Sequence, residues 1–319
     1  MDHDIRDGVL VLGSTGFIGA HLVDRLAGLG YHVYALARSE VDSECGKVRR
    51  IQGSIDDGAL LRKLIGRCRH VIYVASLTTP SASTSAPLLE ISGNLTALAQ
   101  VLSLAKDFPE RRMLYMSSAG AVYGDLAIDA DESLSRRPRS YYGAGKAAAE
   151  TFIHACTATT TWQAVVLRPS NIYGPGQHAA SGFAIVPTLF ARAAEATSFT
   201  IWGDGQTVRD YCHVSDLIDL TIKALKHEDD TKYAVYNAAS GETASILELV
   251  AACERSAGRR IDVEFQPARS FDVPHVSLNT NAARAAYRWK AKIPLREGLD
   301  QTWRWFLGSY SREQIADRE

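Results

Sequence analysis

The chain has 319 residues, 46% of them hydrophobic, and a formal net charge of −1 at pH 7. A chain of this length and hydrophobic content can bury a full core and is long enough for a second, smaller domain. The near-zero net charge argues against nucleic acid or an anionic membrane surface as the main partner.

The amino terminus and the cysteine pattern indicate a cytoplasmic protein. Residues 1–7 are mostly charged, unlike a secretory signal, and no uninterrupted apolar run reaches the ~18 residues of a membrane span. The five cysteines are widely spaced without a CxxC pair, which is typical of free thiols in a reducing compartment. The nine histidines lack metal-ligand spacing, so we expect no metal site.

The first predicted unit is a strand, a glycine turn and a helix. An apolar run at residues 8–12 predicts a buried strand, and the apolar periodicity after residue 16 predicts a helix. The turn between them has the sequence Gly13-Ser14-Thr15-Gly16-Phe17-Ile18-Gly19. Its glycines allow a tight turn and close approach of a ligand, so the N–H groups at the helix start can hold a pyrophosphate. An ordinary strand-to-helix turn also uses glycine, but further βα units follow, which favours dinucleotide binding.

The first half of the chain continues to alternate strands and helices. We predict strands at residues 31–36, 48–52, 71–75, 112–117 and 162–167, and helices at residues 57–67, 94–106 and 142–157. This alternation predicts an α/β fold, a Rossmann-type doubly wound parallel sheet with ligands at the carboxyl ends of its strands. Residues 1–170 would form this dinucleotide-binding domain.

From residue 168 the pattern changes. The turn-rich segment 168–177 ends the regular alternation, and the later elements are shorter and more mixed. We predict helices at residues 183–196, 215–225, 245–256 and 296–306, and strands at residues 199–202, 233–237 and 261–265. Residues 171–319 are expected to form mostly a smaller C-terminal α/β substrate lobe, with some segments returning to the sheet.

Helix 142–157 begins with residues suited to acid–base chemistry. Tyr142 and Lys146 stand at i and i+4, on one face of the helix. A free phenol with a pKa of ~10 is a poor base at neutral pH, and a nearby cation can lower that pKa by ~1–3 units. Gly143 and Gly145 each cost ~1 kcal/mol relative to alanine in a helix, which indicates close approach of a ligand. The alternative is an ordinary exposed Tyr/Lys pair.

Five ordered motifs resemble the extended short-chain dehydrogenase/reductase family, and within it the NAD(P)-dependent nucleotide-sugar epimerases and dehydratases of the UDP-glucose 4-epimerase type. They are the glycine turn, SSAGAVYG at residues 117–124 with the Tyr142/Lys146 pair, RPSNIYGPGQ at 168–177, GDG with RDYCHV at 203–214, and RSFDVP at 269–274. The resemblance covers nearly the whole chain.

The resemblance implies catalytic roles for a tyrosine, a lysine and a serine. Tyr142 would take the proton from a sugar hydroxyl while hydride passes from the same carbon to the nicotinamide, and Lys146 would lower the phenol pKa and bind the nicotinamide ribose. Ala119 stands where the best-known epimerases have a catalytic serine or threonine. We expect Ser118 to replace it, with Ser117 as the other candidate. The alternative is that both serines only satisfy backbone groups at the strand end.

The resemblance also implies a cofactor site for NADP or NAD. By family position it is formed by Gly13, Thr15, Gly16, Phe17, Ile18, Gly19, Arg38, Ser39, Ala75, Asn94, Tyr142, Lys146 and Pro169. Enzymes that prefer NAD usually end the second strand with an acidic residue that would repel a 2′-phosphate. Here Ala37 takes that place and Arg38 follows, which favours NADP. The alternative is that Arg38 is solvated, or stacks on adenine without discriminating.

The implied substrate partner is a nucleotide-diphosphate sugar. Family position assigns its site to Thr78, Ser118, Asn171, Trp202, Arg209, Arg269 and Asp272. Asn171 and the two arginines would surround the diphosphate, Asp272 would support Arg269 or meet the nucleotide ribose, and Trp202 would lie against the base. The alternatives are that Trp202 packs in the core and that Arg209 forms a surface ion pair with Asp210.

The expected function is an NDP-sugar 4-epimerase that works through a 4-keto species, an enzyme of carbohydrate biosynthesis. The acidic residues that a sugar dehydratase needs beside the tyrosine are missing from residues 118–120. The main alternative is NADPH-dependent reduction of an NDP-4-keto sugar, and the sequence leaves the two nearly balanced. A dinucleotide-sensing protein needs no Tyr/Lys pair, and an inactive structural partner has only Ala119 in its favour. Helices 94–106 and 142–157 resemble the pair that joins subunits in this family, so we expect a homodimer.

Overall fold

A computed structural model describes residues 7–39, 43–78, 87–126, 128–179, 184–269 and 273–316. Its centre is an eight-stranded sheet with the strand order β11-β7-β6-β5-β1-β2-β4-β3. In chain order these strands are β1 (Gly8–Leu12), β2 (His32–Ala37), β3 (Ser43–Cys45), β4 (Val48–Gln52), β5 (His70–Tyr73), β6 (Arg112–Met116), β7 (Gln163–Pro169) and β11 (Tyr233–Ala238). Only the β3–β4 pair within this sheet is antiparallel. The expected doubly wound parallel sheet is therefore confirmed.

Helices cover both faces of this sheet. The helices described are α1 (Phe17–Gly28), α2 (Gly58–Ile65), α3 (Pro87–Glu90), α4 (Thr96–Ser103), α5 (Ala119–Tyr123), α6 (Tyr141–Thr159), α7 (Ile185–Glu195), α8 (Val214–Lys226), α9 (Ile246–Ala257), α10 (Asn281–Tyr287) and α11 (Leu295–Ala316). Along β1, Val9 and Val11 pack with α1, α8 and α10, whereas Leu10 and Leu12 pack with α2, α4 and α6. Side chains of a strand alternate between the two faces, so an uninterrupted apolar strand serves both cores.

The remaining strands form two small sheets on one side of the molecule. They are β8 (Asn171–Tyr173), β10 (Val208–His213) and β12 (Thr243–Ser245) in one sheet, and β9 (Phe199–Trp202) and β13 (Val263–Gln266) in the other. A third core, with Leu189, Phe190, Leu249 and Trp303 among its members, fills the space between α7, α9 and α11. As expected, later segments return to the large sheet, because β11 joins it and α8 and α10 cover it. The boundary between residues 170 and 171 stays a prediction.

The helix predicted at residues 94–106 begins earlier than expected. A π-helical turn, Ile91–Leu95, joins α3 to α4, and a 3₁₀ turn extends the run to Lys106. The resulting 20-residue helix, Pro87–Lys106, has a mean hydropathy of 1.3 over 18 residues, so by length and composition it is able to cross a membrane. About a third of that window is buried. One such helix is weak evidence for a membrane span, because helices packed in protein cores meet the same criteria.

Candidate active site

The glycine turn is packed so closely that larger residues do not fit. Gly13 has a φ of +92°, and a Cβ there would lie 2.7 Å from the backbone of Ala75, after β5. A Cβ at Gly19 would lie 2.9 Å from the carbonyl carbon of Gly13. Ser14 Oγ donates to the Leu36 carbonyl oxygen at 3.0 Å, which ties the turn to the end of β2. These contacts fit a backbone cradle that a dinucleotide can approach.

The first turn of α1 has no side-chain cap. Gly16 is the N-cap residue and Thr15 before it is exposed, whereas Phe17 and Ile18 in the first turn are half-buried. Uncapped N–H groups at a helix N-terminus attract anions, because four such groups have no partner within the helix. The residues of the turn therefore fit the pyrophosphate of a dinucleotide.

The end of β2 carries a cation and no acid. Ala37 is buried as the last residue of β2, and Arg38 and Ser39 after it are exposed. Within the described ranges, the Arg38 guanidinium forms no salt bridge with any carboxylate. Its side chain is thus available to a ligand at the carboxyl edge of the sheet.

Tyr142 and Lys146 lie together at the start of α6, as the sequence predicts. Ser140 caps this helix by accepting a hydrogen bond of 3.1 Å from the Gly143 N–H. Lys146 Nζ lies 5.7 Å from the centre of the Tyr142 ring and donates to the Met116 carbonyl oxygen at 2.8 Å. Met116 ends β6, so this bond fixes Lys146 at the carboxyl edge of the sheet.

The net pKa of Tyr142 in this structure is raised, because burial of the phenol outweighs the lowering expected from Lys146. Burial raises the pKa of Tyr142 to about 12, a hydrogen bond with Ser118 opposes that rise, and the negative charge of Glu90 adds to it. Burial also lowers the pKa of Lys146 to about 8, against the charges of Glu90 and Glu150. Removal from water disfavours the charged form of both groups, so at neutral pH the pair is a phenol beside an ammonium.

The two serines after β6 have different partners. Ser117 Oγ is buried and donates to Glu150 Oε1 at 2.6 Å. Glu150 is fully buried and also accepts two hydrogen bonds from Arg168, at 3.0 and 2.6 Å. Ser118, in contrast, is half-buried and hydrogen-bonds with the Tyr142 side chain. Of the two candidates, the structure therefore brings only Ser118 to Tyr142.

The two glycines of α6 make room for protein atoms. The expectation that they make room for a ligand is wrong. A Cβ at Gly143 would lie 3.0 Å from the carbonyl carbon of Ala121 in α5. A Cβ at Gly145 would lie 2.6 Å from Cγ of Glu90. The helix thus keeps both glycines because α5 and Glu90 pack directly against its backbone.

Glu90 is a site residue that sequence reasoning missed. It is 3% exposed at the end of α3, and its carboxylate accepts hydrogen bonds from Thr78 Oγ1 and, at 3.0 Å, from Asn94 Nδ2. Asn94 Nδ2 also donates to Thr78 Oγ1 at 2.8 Å, and Asn94 Oδ1 accepts from the Leu77 N–H at 2.9 Å. Thr78, expected at the substrate, and Asn94, expected at the cofactor, therefore direct their polar groups to this cluster. A single carboxylate in the apolar segment 87–98 was the only available signal.

The remaining predicted site residues, Pro169 of the cofactor site and those of the substrate site, lie at the end of β7 and on or beside the small sheets. Pro169 is buried at the end of β7, and Asn171 is exposed at the start of β8. Trp202 is 41% exposed, which excludes the core-packing alternative, and the Arg269 guanidinium lies 5.5 Å from the centre of its ring. Asp272 lies outside the described residues.

Arg209 does not form the surface ion pair with Asp210 that was the alternative. Arg209 is half-buried on β10, and its Nη1 donates to the Val208 carbonyl oxygen at 2.8 Å. Asp210 is fully buried and accepts from the backbone N–H groups of Ser240 and Gly241, at 3.0 and 2.7 Å. Asp210 thus holds the turn before β12.

No group of three or more His, Cys, Asp or Glu side chains with the arrangement of a metal site occurs among the described residues. The five cysteines are all unpaired, with Cys68, Cys212 and Cys253 buried.

The chain is similar to known enzymes over nearly its whole length. Residues 9–239 match the NAD dependent epimerase/dehydratase family. The chain is 30% identical over 308 residues to a UDP-glucose 4-epimerase of Mycolicibacterium smegmatis, which covers 93% of this chain and 97% of that protein. It is 27% identical over 317 residues to a dTDP-4-dehydro-6-deoxy-D-allose reductase of a Streptomyces species, and the match covers 93% of this chain and 95% of that protein.

A solved structure shows the same architecture. MoeE5 in complex with UDP-glucose and NAD superposes with a TM-score of 0.88 at 28% sequence identity. The superposition covers 95% of this chain and 99% of that one. The agreement includes both the large sheet and the smaller lobe.

Proposed function

Because the chain belongs to the NAD dependent epimerase/dehydratase family, we propose that it is a nucleotide-sugar 4-epimerase. The observation that carries this proposal is the convergence of Tyr142, Ser118 and Lys146 at the carboxyl edge of the sheet. An acid–base phenol, a hydroxyl that orients it and a fixed ammonium are what reversible oxidation of a sugar hydroxyl requires. The glycine turn at the same edge fits the dinucleotide.

The proposed reaction uses one proton and one hydride. The bound nicotinamide supplies a hydride acceptor and, in its oxidised form, a further positive charge. Tyr142 Oη, ionised in this step, accepts the proton of the sugar 4-hydroxyl as C4 loses its hydride, which leaves a 4-keto sugar. Tyr142 would then give the proton back to the 4-keto oxygen as C4 regains a hydride on its other face, which would yield the epimer. Ser118 holds the reacting oxygen, and Lys146 stabilises the ionised phenol.

For the cofactor, NAD(P) dependence follows from the family, and we propose a preference for NADP. Arg38 is exposed directly after β2, and Ala37 puts no carboxylate there to repel a 2′-phosphate. A guanidinium makes charge-assisted, bidentate hydrogen bonds with phosphate. This preference also favours the second candidate function, a 4-ketoreductase, because a reductase must exchange its cofactor in each cycle. A dTDP-4-keto-sugar reductase is indeed among the relatives.

For the substrate, we propose that the diphosphate lies among Asn171, Arg209 and Arg269, with the base near Trp202. Arg209 and Arg269 are the cations that β10 and the segment after β13 contribute to the lobe. The contact of Arg269 with the Trp202 ring forms a flat, positively charged surface. Such a surface suits an aromatic base joined to a diphosphate.

We also propose a homodimer in the cytoplasm. Leu88, Ile91 and Phe152 are 77%, 54% and 54% exposed on the helix Pro87–Lys106 and on α6, which pack side by side. Neighbouring exposed apolar side chains are typical of an interface between subunits. Five unpaired thiols fit a reducing compartment.

A panel of UDP and dTDP hexoses and their 4-keto derivatives tests the proposed function. Product formation is followed by proton NMR of the anomeric signals, and cofactor oxidation by absorbance at the reduced nicotinamide band. Interconversion of two 4-epimers without net cofactor consumption identifies an epimerase. Stoichiometric consumption of reduced cofactor identifies the reductase, and conversion of no sugar nucleotide refutes both.

A further inference from the structure

Glu90 is a buried carboxylate whose hydrogen-bond partners carry no charge. Thr78 Oγ1 and Asn94 Nδ2 donate to it, and the side chain is 3% exposed. None of the described cations lies within salt-bridge distance of its oxygens. A buried charge is costly unless it is compensated, and the two neutral donors provide that compensation here.

The nearby carboxylate of Glu150 differs from that of Glu90 because two of its partners are charged. It is fully buried on α6, but Arg168 neutralises it with contacts of 2.6 and 3.0 Å, and Arg136 lies 3.4 Å away. Its charge is therefore largely taken up within its own cluster. Among the residues that the structure describes, Glu90 has only neutral donors, and its negative charge is correspondingly more available to neighbouring groups.

The groups that face Glu90 come from three elements besides its own helix. Tyr142, Gly145 and Lys146 face it from α6, Tyr115 from β6, and Thr78 from the segment after β5. Lys146 is the single cation in this set of described residues. Gly145 is what allows the carboxylate to approach α6, because a Cβ there would overlap it.

We propose that Glu90 is a positioning residue that acts through its charge, as the counter-ion of Lys146, and keeps the Tyr142/Lys146 pair in the phenol-plus-ammonium state at neutral pH. Gly145 and the bonds from Thr78 and Asn94 hold the carboxylate in place for this task. The proposal rests on the proposed function in one respect, namely that Tyr142 is the acid and base of the reaction. A pair kept in this state is ready for the second half of the proposed reaction, in which Tyr142 protonates the oxygen of the 4-keto sugar.

The sign of the effect follows from electrostatics. A negative charge raises the pKa of a phenol and of an ammonium alike, and the charge of Glu90 raises the pKa of both Tyr142 and Lys146. Loss of the charge lowers both pKa values. The pH below which phenol and ammonium coexist is set by the Lys146 pKa, so this upper limit falls by on the order of one unit.

The test is an NMR titration of Lys146 in the full-length protein as purified with its cofactor. Lysine is labelled with ¹³C at Cε, and the signal of Lys146 is assigned by its loss in Lys146→Arg. In the wild type we expect Lys146 to titrate with a pKa of about 8. In Glu90→Gln, whose amide retains a donor and an acceptor, we expect that pKa to fall by on the order of one unit.

Three variants separate charge from structure. Glu90→Asp keeps the charge and should restore most of the Lys146 pKa. Thr78→Val removes a hydrogen bond but no charge, so the pKa should stay within a few tenths of a unit of the wild-type value. Glu228→Gln removes an equal charge at the opposite edge of the sheet, where Glu228 pairs with Arg69 before β5. This variant should leave the Lys146 pKa unchanged. If Glu90→Gln does not fold, Glu90→Asn carries the same comparison.

The proposal is overturned if Glu90→Gln leaves the Lys146 pKa unchanged, or if Thr78→Val lowers it equally. The titration needs no sugar substrate, so this failure is distinct from failure of the proposed function, which the sugar-nucleotide panel measures. In active protein, the alkaline limb of the pH profile of kcat/KM for reduction of a 4-keto sugar should move to lower pH in Glu90→Gln. A loss of rate at every pH with an unmoved alkaline limb would show a merely structural role.

Discussion

The carboxylate of Glu90 occupies the space that a side chain at Gly145 would need, since a Cβ at Gly145 would lie 2.6 Å from Glu90 Cγ. The two residues are thus matched across the contact between α3 and α6. A glycine in a helix costs ~1 kcal/mol relative to alanine, and this contact explains why the chain keeps it.

The effect of Gly145→Ala on stability should change sign with residue 90. In the wild type the methyl group meets Glu90, and overpacking should destabilise the protein by about 1–3 kcal/mol. In a Glu90→Ala background the space is free, and the same change should stabilise it by up to ~1 kcal/mol. Urea unfolding of the four proteins measures this. Gly143→Ala is the matched control, because Ala121 opposes it in both backgrounds. Equal effects of Gly145→Ala in the two backgrounds would contradict the account.

Alanine at the two neighbouring serines should separate stability from activity. Ser117→Ala leaves the buried Glu150 without one donor and should lower the free energy of unfolding by about 1–3 kcal/mol. Ser118→Ala removes the bond to Tyr142 and should lower kcat by about 10²-fold with little loss of stability. Thermal unfolding and steady-state rates on both variants check this. The reverse assignment, with the rate loss at Ser117, would show that the wrong serine has been placed at the reacting oxygen.

Arg38 should decide the cofactor preference. A charge-assisted contact with a 2′-phosphate contributes ~1.5–3 kcal/mol, or roughly 10–150-fold in affinity. We expect Arg38→Ala to reduce the ratio of NADP⁺ to NAD⁺ affinity by that factor, measured by titration at one ionic strength. Arg25→Ala, at the far end of α1, should leave the ratio unchanged. Equal binding of NAD⁺ and NADP⁺ by the wild type would refute the preference.

The proposed dimer predicts a change of mass on introducing charge at its interface. Phe152→Glu puts a carboxylate on the exposed apolar face of α6 and should convert dimer to monomer at micromolar concentration. Leu307→Glu, at a similarly exposed leucine of α11, should leave the dimer intact. Light scattering distinguishes the two masses, and a wild-type protein that is already monomeric would contradict the proposal.

Local patterns in the sequence predicted the parts of the fold that depend on local interactions. The strand, glycine turn and helix at residues 8–28 were predictable because apolar periodicity and glycine placement are both local signals. The strands β8 and β10 were missed, since β8 pairs with β10 across about forty residues of chain and β10 also pairs with the distant β12.

The site was predictable in its chemistry but not in its electrostatics. Tyr142 and Lys146 share one helix, so their proximity follows from spacing alone. The role of Glu90 depends on a contact with Gly145 that joins two helices, and the difference between Ser117 and Ser118 depends on Glu150, 33 residues away. The direction of the Tyr142 pKa shift depends on burial, which the spacing of Tyr142 and Lys146 does not report.

The central claim is reversible hydride transfer at C4 with Tyr142 as acid and base. The most direct measurement uses UDP-hexoses deuterated at C4, followed by proton and deuterium NMR. The account predicts a 4-epimer that retains the deuterium at C4, and a Tyr142→Phe variant that binds the cofactor but is slower by ~10²–10⁴-fold. An epimer that has lost its deuterium to solvent, or a Tyr142→Phe variant with more than about a tenth of wild-type turnover, would contradict it.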